Sequence, residues 1–156
     1  MKRNVLFIDD EVFFAQPYLE ELESAFTVHV RSDVIEGIEA VRVVPDLAAA
    51  VVDVMMPPPA QVVYMDLEEG LNTGLWFLQE VRAKIEGGPM PVVVLTNRNT
   101  AFVMRKVEEM KFRTGLVEVR AKIETPRWLL KQVLLRLTTP GASEQAAPQR
   151  PVIGGI

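Results

Sequence analysis

Cysteine is absent from this chain of 156 residues, and no apolar run approaches the roughly 18–20 residues that a membrane-spanning helix requires. The first absence excludes disulfides, thiolate nucleophiles and cysteine-bound metals. A surplus of positive charge is also missing, since 17 Lys and Arg stand against 21 Asp and Glu. Nucleic-acid-binding proteins need the opposite balance to neutralise phosphates, so we expect no direct nucleic-acid binding. Because no apolar run is long enough to cross a bilayer, we also expect no membrane partner. These absences predict a soluble cytoplasmic protein.

Length and composition indicate the domain organisation. The chain has the usual size of one domain, and 49% of its residues are apolar, which is enough for one hydrophobic core. After about Thr138 the composition changes to Pro, Gly, Ala, Ser and Gln, a mixture that buries too little apolar surface to order itself. We therefore predict one domain over residues 1–138 and a flexible tail over residues 139–156.

Short apolar runs alternate with helical stretches five times along the chain. The runs that we interpret as strands cover residues 5–8, 26–30, 47–52, 91–95 and 116–121. The stretches that we interpret as helices cover residues 12–26, 32–44, 73–88, 99–112 and 125–137. This alternation predicts an α/β fold with a parallel sheet and helices on both faces. The second and fifth runs alternate apolar and polar residues, which favours positions near the sheet edges.

Several helical side chains also have predicted places. Phe14 belongs to the apolar stripe of the first helix, and Trp76 and Trp128 occupy positions that we expect to face the core. Thr125 is predicted to cap the last helix, with Pro126 as its first residue.

Polar residues stand at the carboxyl ends of the predicted strands. The first strand ends in Asp9 and Asp10, and the third ends in Asp53. The fourth ends in Thr96, and Lys122 directly follows the fifth. These ends meet at one edge of a parallel sheet, and three carboxylates gathered there need a cation such as Mg²⁺. A hydroxyl and an ammonium nearby would bind phosphoryl oxygens, so the pattern predicts that Asp53 attacks phosphorus and becomes an aspartyl phosphate.

Five segments that carry or surround these residues together resemble one known family. In chain order they read VLFIDDE, VVDVMMP, TGLWFLQEVR, PVVVLTN and RAKIETPRWLLKQV. Each resembles a segment of the response-regulator receiver domain, the phospho-acceptor module of two-component signalling. The resemblance covers about residues 3–138. It implies a flavodoxin-like, doubly wound sheet of five parallel strands in the order 2-1-3-4-5.

The resemblance implies a role for each residue that matches the metal-binding motif. Asp53 would be both the phospho-acceptor and a metal ligand. Asp10 would bind Mg²⁺ directly, whereas Asp9 would act mainly through water. The backbone carbonyl of Met55 would be a further metal ligand.

The resemblance also implies how the domain signals. Thr96 would hydrogen-bond the phosphoryl group, and Lys122 would pair first with the acceptor carboxylate and then with the phosphate. A sensor histidine kinase or a histidine phosphotransfer protein would be the donor. The domain would catalyse its own phosphorylation and dephosphorylation, rather than a metabolic reaction. A stand-alone receiver would pass the signal to a separate effector protein through a surface formed by the last two predicted helices and the strand between them. The same surface would form the interface of a homodimer.

One segment departs from the family pattern in length. Gly74, which opens the third predicted helix, lies 21 residues after Asp53, farther than in the family. We therefore predict an inserted loop over about residues 58–73. Pro58 and Pro59 would stiffen its start and make it a partly rigid flap beside the acceptor.

Three substitutions, together with the long inserted loop, favour a second hypothesis. Ile123 follows Lys122 where the family commonly has a proline after a cis peptide, so we expect a trans bond or a rebuilt turn. Val119 stands where the family has an aromatic residue, and Asn97 where it has a small one. The alternative hypothesis is therefore a receiver-like module that binds proteins without phosphorylation.

A third hypothesis belongs to another class of protein, the Mg²⁺-dependent phosphatases of the haloacid-dehalogenase type. Their chemistry needs Asp-x-Asp after the first strand, whereas this chain has Asp9-Asp10-Glu11. The third acid is one carbon longer than required, which counts against this hypothesis.

Overall fold

Strands and helices alternate in the computed structural model, which describes residues 2–54, 56, 73–97 and 100–139. The strands are β1 (Arg3–Ile8), β2 (Phe26–Arg31), β3 (Leu47–Asp53), β4 (Val92–Thr96) and β5 (Val117–Ala121). The helices are α1 (Val12–Glu23), α2 (Val34–Val43), α3 (Thr73–Glu80), α4 (Arg82–Gly87), α5 (Thr100–Glu109) and α6 (Arg127–Thr138). A 3₁₀ turn, Lys122–Glu124, joins β5 to α6.

Three of the sequence predictions fall almost entirely outside these described residues. They concern the inserted loop over 58–73, of which only Thr73 is described, and the tail over 139–156, of which only Thr139 is described. The third is the backbone carbonyl of Met55. All three remain predictions.

The strands form one parallel sheet in the order β2-β1-β3-β4-β5. This is the predicted flavodoxin-like, doubly wound architecture. The two edge strands, β2 and β5, are largely half-buried, as their alternating sequences predicted. The strand order reverses between β1 and β3, so the carboxyl ends of these two strands flank the crevice where such folds bind ligands.

Strand side chains alternate between two hydrophobic cores, one on each face of the sheet. On β1, Leu6 and Ile8 pack with helices α2 to α5, whereas Val5 and Phe7 pack with α1 and α6. Strand β4 is buried throughout and β3 nearly so, because both have helices on each face. In the described part of the chain, no helix combines the length and apolar character needed to cross a membrane.

Some predictions about helices are wrong. The third predicted helix is interrupted at Val81, whose backbone (φ −107°, ψ 16°) leaves the helical conformation between α3 and α4. Phe14 and Trp128 are 72% and 59% exposed, so neither is a core residue. Trp76 does pack against the core, half-buried. The buried stripe of α6 consists of Leu130, Val133 and Leu134. Trp128 lies two residues before this stripe and therefore on the other side of the helix.

Thr125 does not cap α6. Its hydroxyl donates to the carbonyl of Ala121 at 2.8 Å, so it closes the turn before the helix instead. Pro126 occupies the N-cap position, and no side chain there accepts from the first helical N–H groups.

Candidate functional site

Three carboxylates meet at the carboxyl edge of the sheet. Asp9 and Asp10 directly follow β1, and Asp53 is the last residue of β3. Ile8 and Val52 are register partners, so the next residues of the two strands lie side by side. One carboxylate oxygen from each aspartate lies within 4.8 Å of the others. Asp9 and Asp53 are only 2% and 5% exposed, whereas Asp10 is open to solvent.

Lys122 reaches this cluster from the turn after β5. Its Nζ donates to Asp53 Oδ2 at 3.1 Å and to Asp9 Oδ2 at 3.4 Å. Burial alone would lower the pKa of Lys122, but the two carboxylates outweigh burial and raise that pKa above its ordinary value. The ammonium therefore stays charged at neutral pH and links the ends of β1, β3 and β5.

The two aspartates after β1 have different surroundings. Asp9 Oδ1 accepts a hydrogen bond from the backbone N–H of Glu11 at 2.8 Å, so Asp9 is held between Glu11 and Lys122. Partial burial, together with the negative charge of Asp9, raises the pKa of the Asp10 carboxyl above its ordinary value, although much of Asp10 remains open to solvent. A nearby cation would relieve this repulsion. Asp10 is accordingly the carboxylate best suited to a direct metal contact.

The carboxylates fit a divalent cation. Oxygen ligands lie about 2.1 Å from Mg²⁺, so ligands on opposite sides of the ion are about 4 Å apart. The three oxygens span at most 4.8 Å. A small side-chain movement would bring them into that range, or one carboxylate could bind the ion through a water molecule. Three ionised carboxylates and one ammonium leave an excess of about two negative charges, which matches the charge of Mg²⁺.

Thr96 ends β4 at the same edge of the sheet. It is fully buried, and its register partner is Ala121, the residue before Lys122. Asp53 pairs with Leu95, the residue before Thr96. The structure therefore brings Asp9, Asp10, Asp53, Thr96 and Lys122 to one edge, as the sequence predicted, while their chemical roles remain predictions.

Gly74 allows the chain to pass close to the strand that carries Asp53. Its N–H donates to the carbonyl of Val54 at 3.2 Å. A Cβ at this position would lie 2.6 Å from the Val54 Cα and 3.0 Å from the Asp53 carbonyl oxygen. Because only glycine fits, the start of α3 is held against the end of β3.

The turn after Lys122 differs from the family pattern and contains a contact that sequence reasoning missed. Among the described residues the cis peptide is Gly88-Pro89, and the bond between Lys122 and Ile123 is trans within a 3₁₀ turn. The Tyr18 hydroxyl donates to the carbonyl of Thr125 at 2.7 Å. A contact with a backbone carbonyl 107 residues away leaves no signal in the sequence.

Comparison with solved structures identifies the fold as that of response-regulator receiver domains. A receiver domain protein from Clostridium thermocellum superposes with a TM-score of 0.66 at 19% identity, over 87% of this chain and 94% of the other. A CheY-like receiver domain protein from Methanospirillum hungatei JF-1 also gives 0.66, at 15% identity, over 94% and 100% of the two chains. The BeF3-activated DrrB receiver domain gives 0.64 at 15% identity, over 88% and 97%.

Neither a family model nor a curated protein matches this sequence. At such low identities the structural likeness concerns the fold alone.

Proposed function

We propose that the protein is a response-regulator receiver in which Asp53 accepts a phosphoryl group. The observation that carries the proposal is the contact of Lys122 with Asp53 and Asp9, beside the third carboxylate, Asp10. Buried acids cost stability, so acids that converge from separate strands in a ligand-binding crevice favour a functional role over a structural one.

Asp53 would act as the nucleophile. Its carboxylate oxygen attacks the phosphorus of a phosphohistidine, so a P–O bond forms while the P–N bond breaks. The imidazole leaves with the bonding electrons and takes up a proton from water; with acetyl phosphate as donor, acetate leaves instead. Mg²⁺ bound by the carboxylates would neutralise charge on the phosphoryl oxygens. Lys122 would transfer its hydrogen bond from the carboxylate to a phosphoryl oxygen, and the Thr96 hydroxyl would donate to another.

Phosphorylation would then alter a neighbouring surface. It replaces the single charge of Asp53 by about two negative charges, which attract Thr96 and Lys122 at the ends of β4 and β5. Helices α5 and α6 adjoin these ends, so we propose the α5–β5–α6 face as the effector contact and as a homodimer interface. Sedimentation velocity with and without a phosphoryl mimic measures the predicted dimer, which should form more readily with the mimic.

The phosphodonor is proposed to be a histidine kinase or phosphotransfer protein that docks on exposed apolar residues near the site. Phe13 and Phe14 are 83% and 72% exposed, and their rings meet edge to face with centroids 5.6 Å apart. Ile123, the residue after Lys122, is 89% exposed. Large exposed apolar side chains favour a protein contact, and Phe13 follows Asp10 of the acidic cluster by three residues in the chain.

This docking proposal is tested by comparing two donors. Phe13→Ala should reduce phosphotransfer from the kinase more than labelling by acetyl phosphate, so the ratio of the two rates should fall about tenfold, as for loss of a contact worth about 1.4 kcal/mol. Val43→Ala is the matched control, because Val43 is also exposed but ends α2. Equal ratios for both variants would contradict the docking site.

The acceptor role of Asp53 is tested with beryllofluoride and Mg²⁺, which together mimic an acyl phosphate. Amide NMR shifts of wild-type protein should change at Thr96 and Lys122, and Asp53→Ala should show no such change. Identical spectra of the wild type with and without the mimic, or equal changes in Asp53→Ala, would contradict the proposal.

A module that binds proteins without phosphorylation is the second candidate function. The residue that favours this function is Val119, which is half-buried against the core beside α5. Valine has no aromatic ring that could change position when Thr96 moves. This function predicts the same partner affinity for wild type and Asp53→Asn, with and without the mimic. The leading proposal predicts that the mimic changes only the affinity of the wild type.

A further inference from the structure

The turn that carries Lys122 has little apolar packing of its own. Every residue of the preceding strand, β5, is only half-buried, and no residue of the Lys122–Glu124 turn is buried. Ile123, in the centre of the turn, faces solvent almost completely. A lysine side chain is long and flexible, so its ammonium is held between two carboxylates only if the backbone beneath it is fixed.

Thr125 closes this turn from its far side. It is buried, although the rest of the turn is not. Its hydroxyl donates to the Ala121 carbonyl at 2.8 Å, and its N–H donates to the Lys122 carbonyl at 3.1 Å. Arg120 Nε in turn donates to the Thr125 hydroxyl at 3.3 Å. The position of Thr125 therefore determines the backbone position of Lys122.

Tyr18 connects Thr125 with the half of the site that carries the aspartates. Its hydroxyl donates to the Thr125 carbonyl at 2.7 Å. Its ring packs 6.1 Å from the ring of Phe7, which lies on β1 two residues before Asp9. Burial raises the pKa of Tyr18 above its ordinary value, so the hydroxyl remains a donor at physiological pH.

We propose that Tyr18 is a positioning residue, which holds Lys122 between Asp53 and Asp9 by fixing the carbonyl of Thr125. The inference deepens the proposed acceptor function and rests on it. The Tyr18–Thr125 hydrogen bond holds the end of the turn in which Ile123 is exposed. The bond joins α1 to the turn before α6, and these two helices pack on the same face of the sheet.

Tyr18→Phe tests the proposal because it removes the hydroxyl and keeps the ring. The rate of Asp53 labelling by acetyl phosphate should fall about fivefold, which corresponds to the loss of one hydrogen bond worth about 1 kcal/mol. Mg²⁺ affinity should stay within about twofold of the wild type, because Tyr18→Phe keeps both the carboxylates and the charge of Lys122. Ser24→Ala is the matched control: it removes a 2.7 Å hydrogen bond at the C-terminal end of α1 and should leave the rate unchanged.

A double-mutant cycle separates positioning from a general loosening of the protein. In a Lys122→Met background, Tyr18→Phe should not reduce the remaining rate further, because no ammonium is left to position. Thr125→Ser keeps the hydroxyl and should retain the wild-type rate. A fivefold loss in the Lys122→Met background, or no loss in the wild-type background, would overturn the proposal.

A second readout does not depend on phosphorylation. Nitrogen NMR of the lysine side chains measures how fast the ammonium hydrogens of Lys122 exchange with water. Exchange should be faster in Tyr18→Phe, where the ammonium is no longer held against Asp53 and Asp9, and unchanged in Ser24→Ala. An exchange rate in Tyr18→Phe equal to that of the wild type would refute the positioning role. If exchange is faster but the wild type is never labelled at Asp53, the acceptor proposal fails and the positioning role stands.

Discussion

Replacing Lys122 with methionine probes the balance of charge at the centre of the site. The ammonium lies 3.1 Å from Asp53 and 3.4 Å from Asp9, and at an effective dielectric constant of about 20 each contact is worth about 5 kcal/mol of gross attraction. Desolvation of the three groups cancels most of this gain, yet removing one partner of a buried pair costs about 3–5 kcal/mol. We expect Lys122→Met to lower the free energy of unfolding by about 3 kcal/mol, at the low end of this range, because the Lys122 side chain keeps 18% of its surface exposed.

Urea unfolding in the presence of EDTA measures this loss of stability. Saturating Mg²⁺ should then stabilise Lys122→Met more than the wild type, because the variant's carboxylates have no other cation. At one hundred times its Kd, a bound ion raises the free energy of unfolding by about 2.7 kcal/mol. Lys131→Met is the control, since Lys131 pairs at 3.8 Å with Glu21, which keeps far more contact with solvent than Asp53 or Asp9, and this pair should contribute less than about 1 kcal/mol. Equal stabilities of the two variants would refute the electrostatic reasoning.

Three further predictions concern the same edge of the sheet. Folding raises the pKa of Lys122, so the charged ammonium stabilises the fold fully below the ordinary value of 10.5. This stabilisation is lost as pH rises through the raised pKa of the folded protein. Unfolding measurements at alkaline pH should show the loss in the wild type and not in Lys122→Met. Folding also raises the pKa of Asp10, so its ionised form opposes folding at neutral pH. Asp10→Asn should therefore raise the melting temperature in EDTA and reduce the stabilisation by Mg²⁺; a lower melting temperature would contradict this. Gly74→Ala should lower the free energy of unfolding, measured in urea, by about 2 kcal/mol, because the added Cβ would meet backbone atoms. Gly87→Ala is the control and should be neutral or stabilising, because a Cβ there has nothing within 4 Å. Equal losses of stability in the two variants would contradict the close approach at Gly74.

The convergence of the site could be predicted because it follows from topology. Alternating apolar and helical segments predict parallel strands, and parallel strands bring their carboxyl ends to one edge. Asp53 and Lys122 are 69 positions apart, and the residues that flank each of them do not by themselves indicate a functional site. Their shared position at strand ends was sufficient to predict that they meet.

Other features could not be predicted because they depend on helix phase or on backbone partners. Neighbouring helical residues point about 100° apart, so a small error in the phase of a helix moves Trp128 from core to solvent. The interruption at Val81 occurs without a proline or glycine to mark it. The Thr125 hydroxyl and the Tyr18 hydroxyl both donate to main-chain carbonyls, which every residue type provides, so no pair of side chains indicates these contacts.

The central claim, that Asp53 is a phospho-acceptor, is tested most directly by intact-protein mass spectrometry after incubation with acetyl phosphate and Mg²⁺. The wild type should gain the mass of one phosphoryl group, fragment masses should place it on Asp53, and EDTA should prevent the reaction. Asp53→Asn should gain nothing under the same conditions. A wild-type protein that stays unmodified, or an Asp53→Asn variant modified to the same extent, would contradict the account.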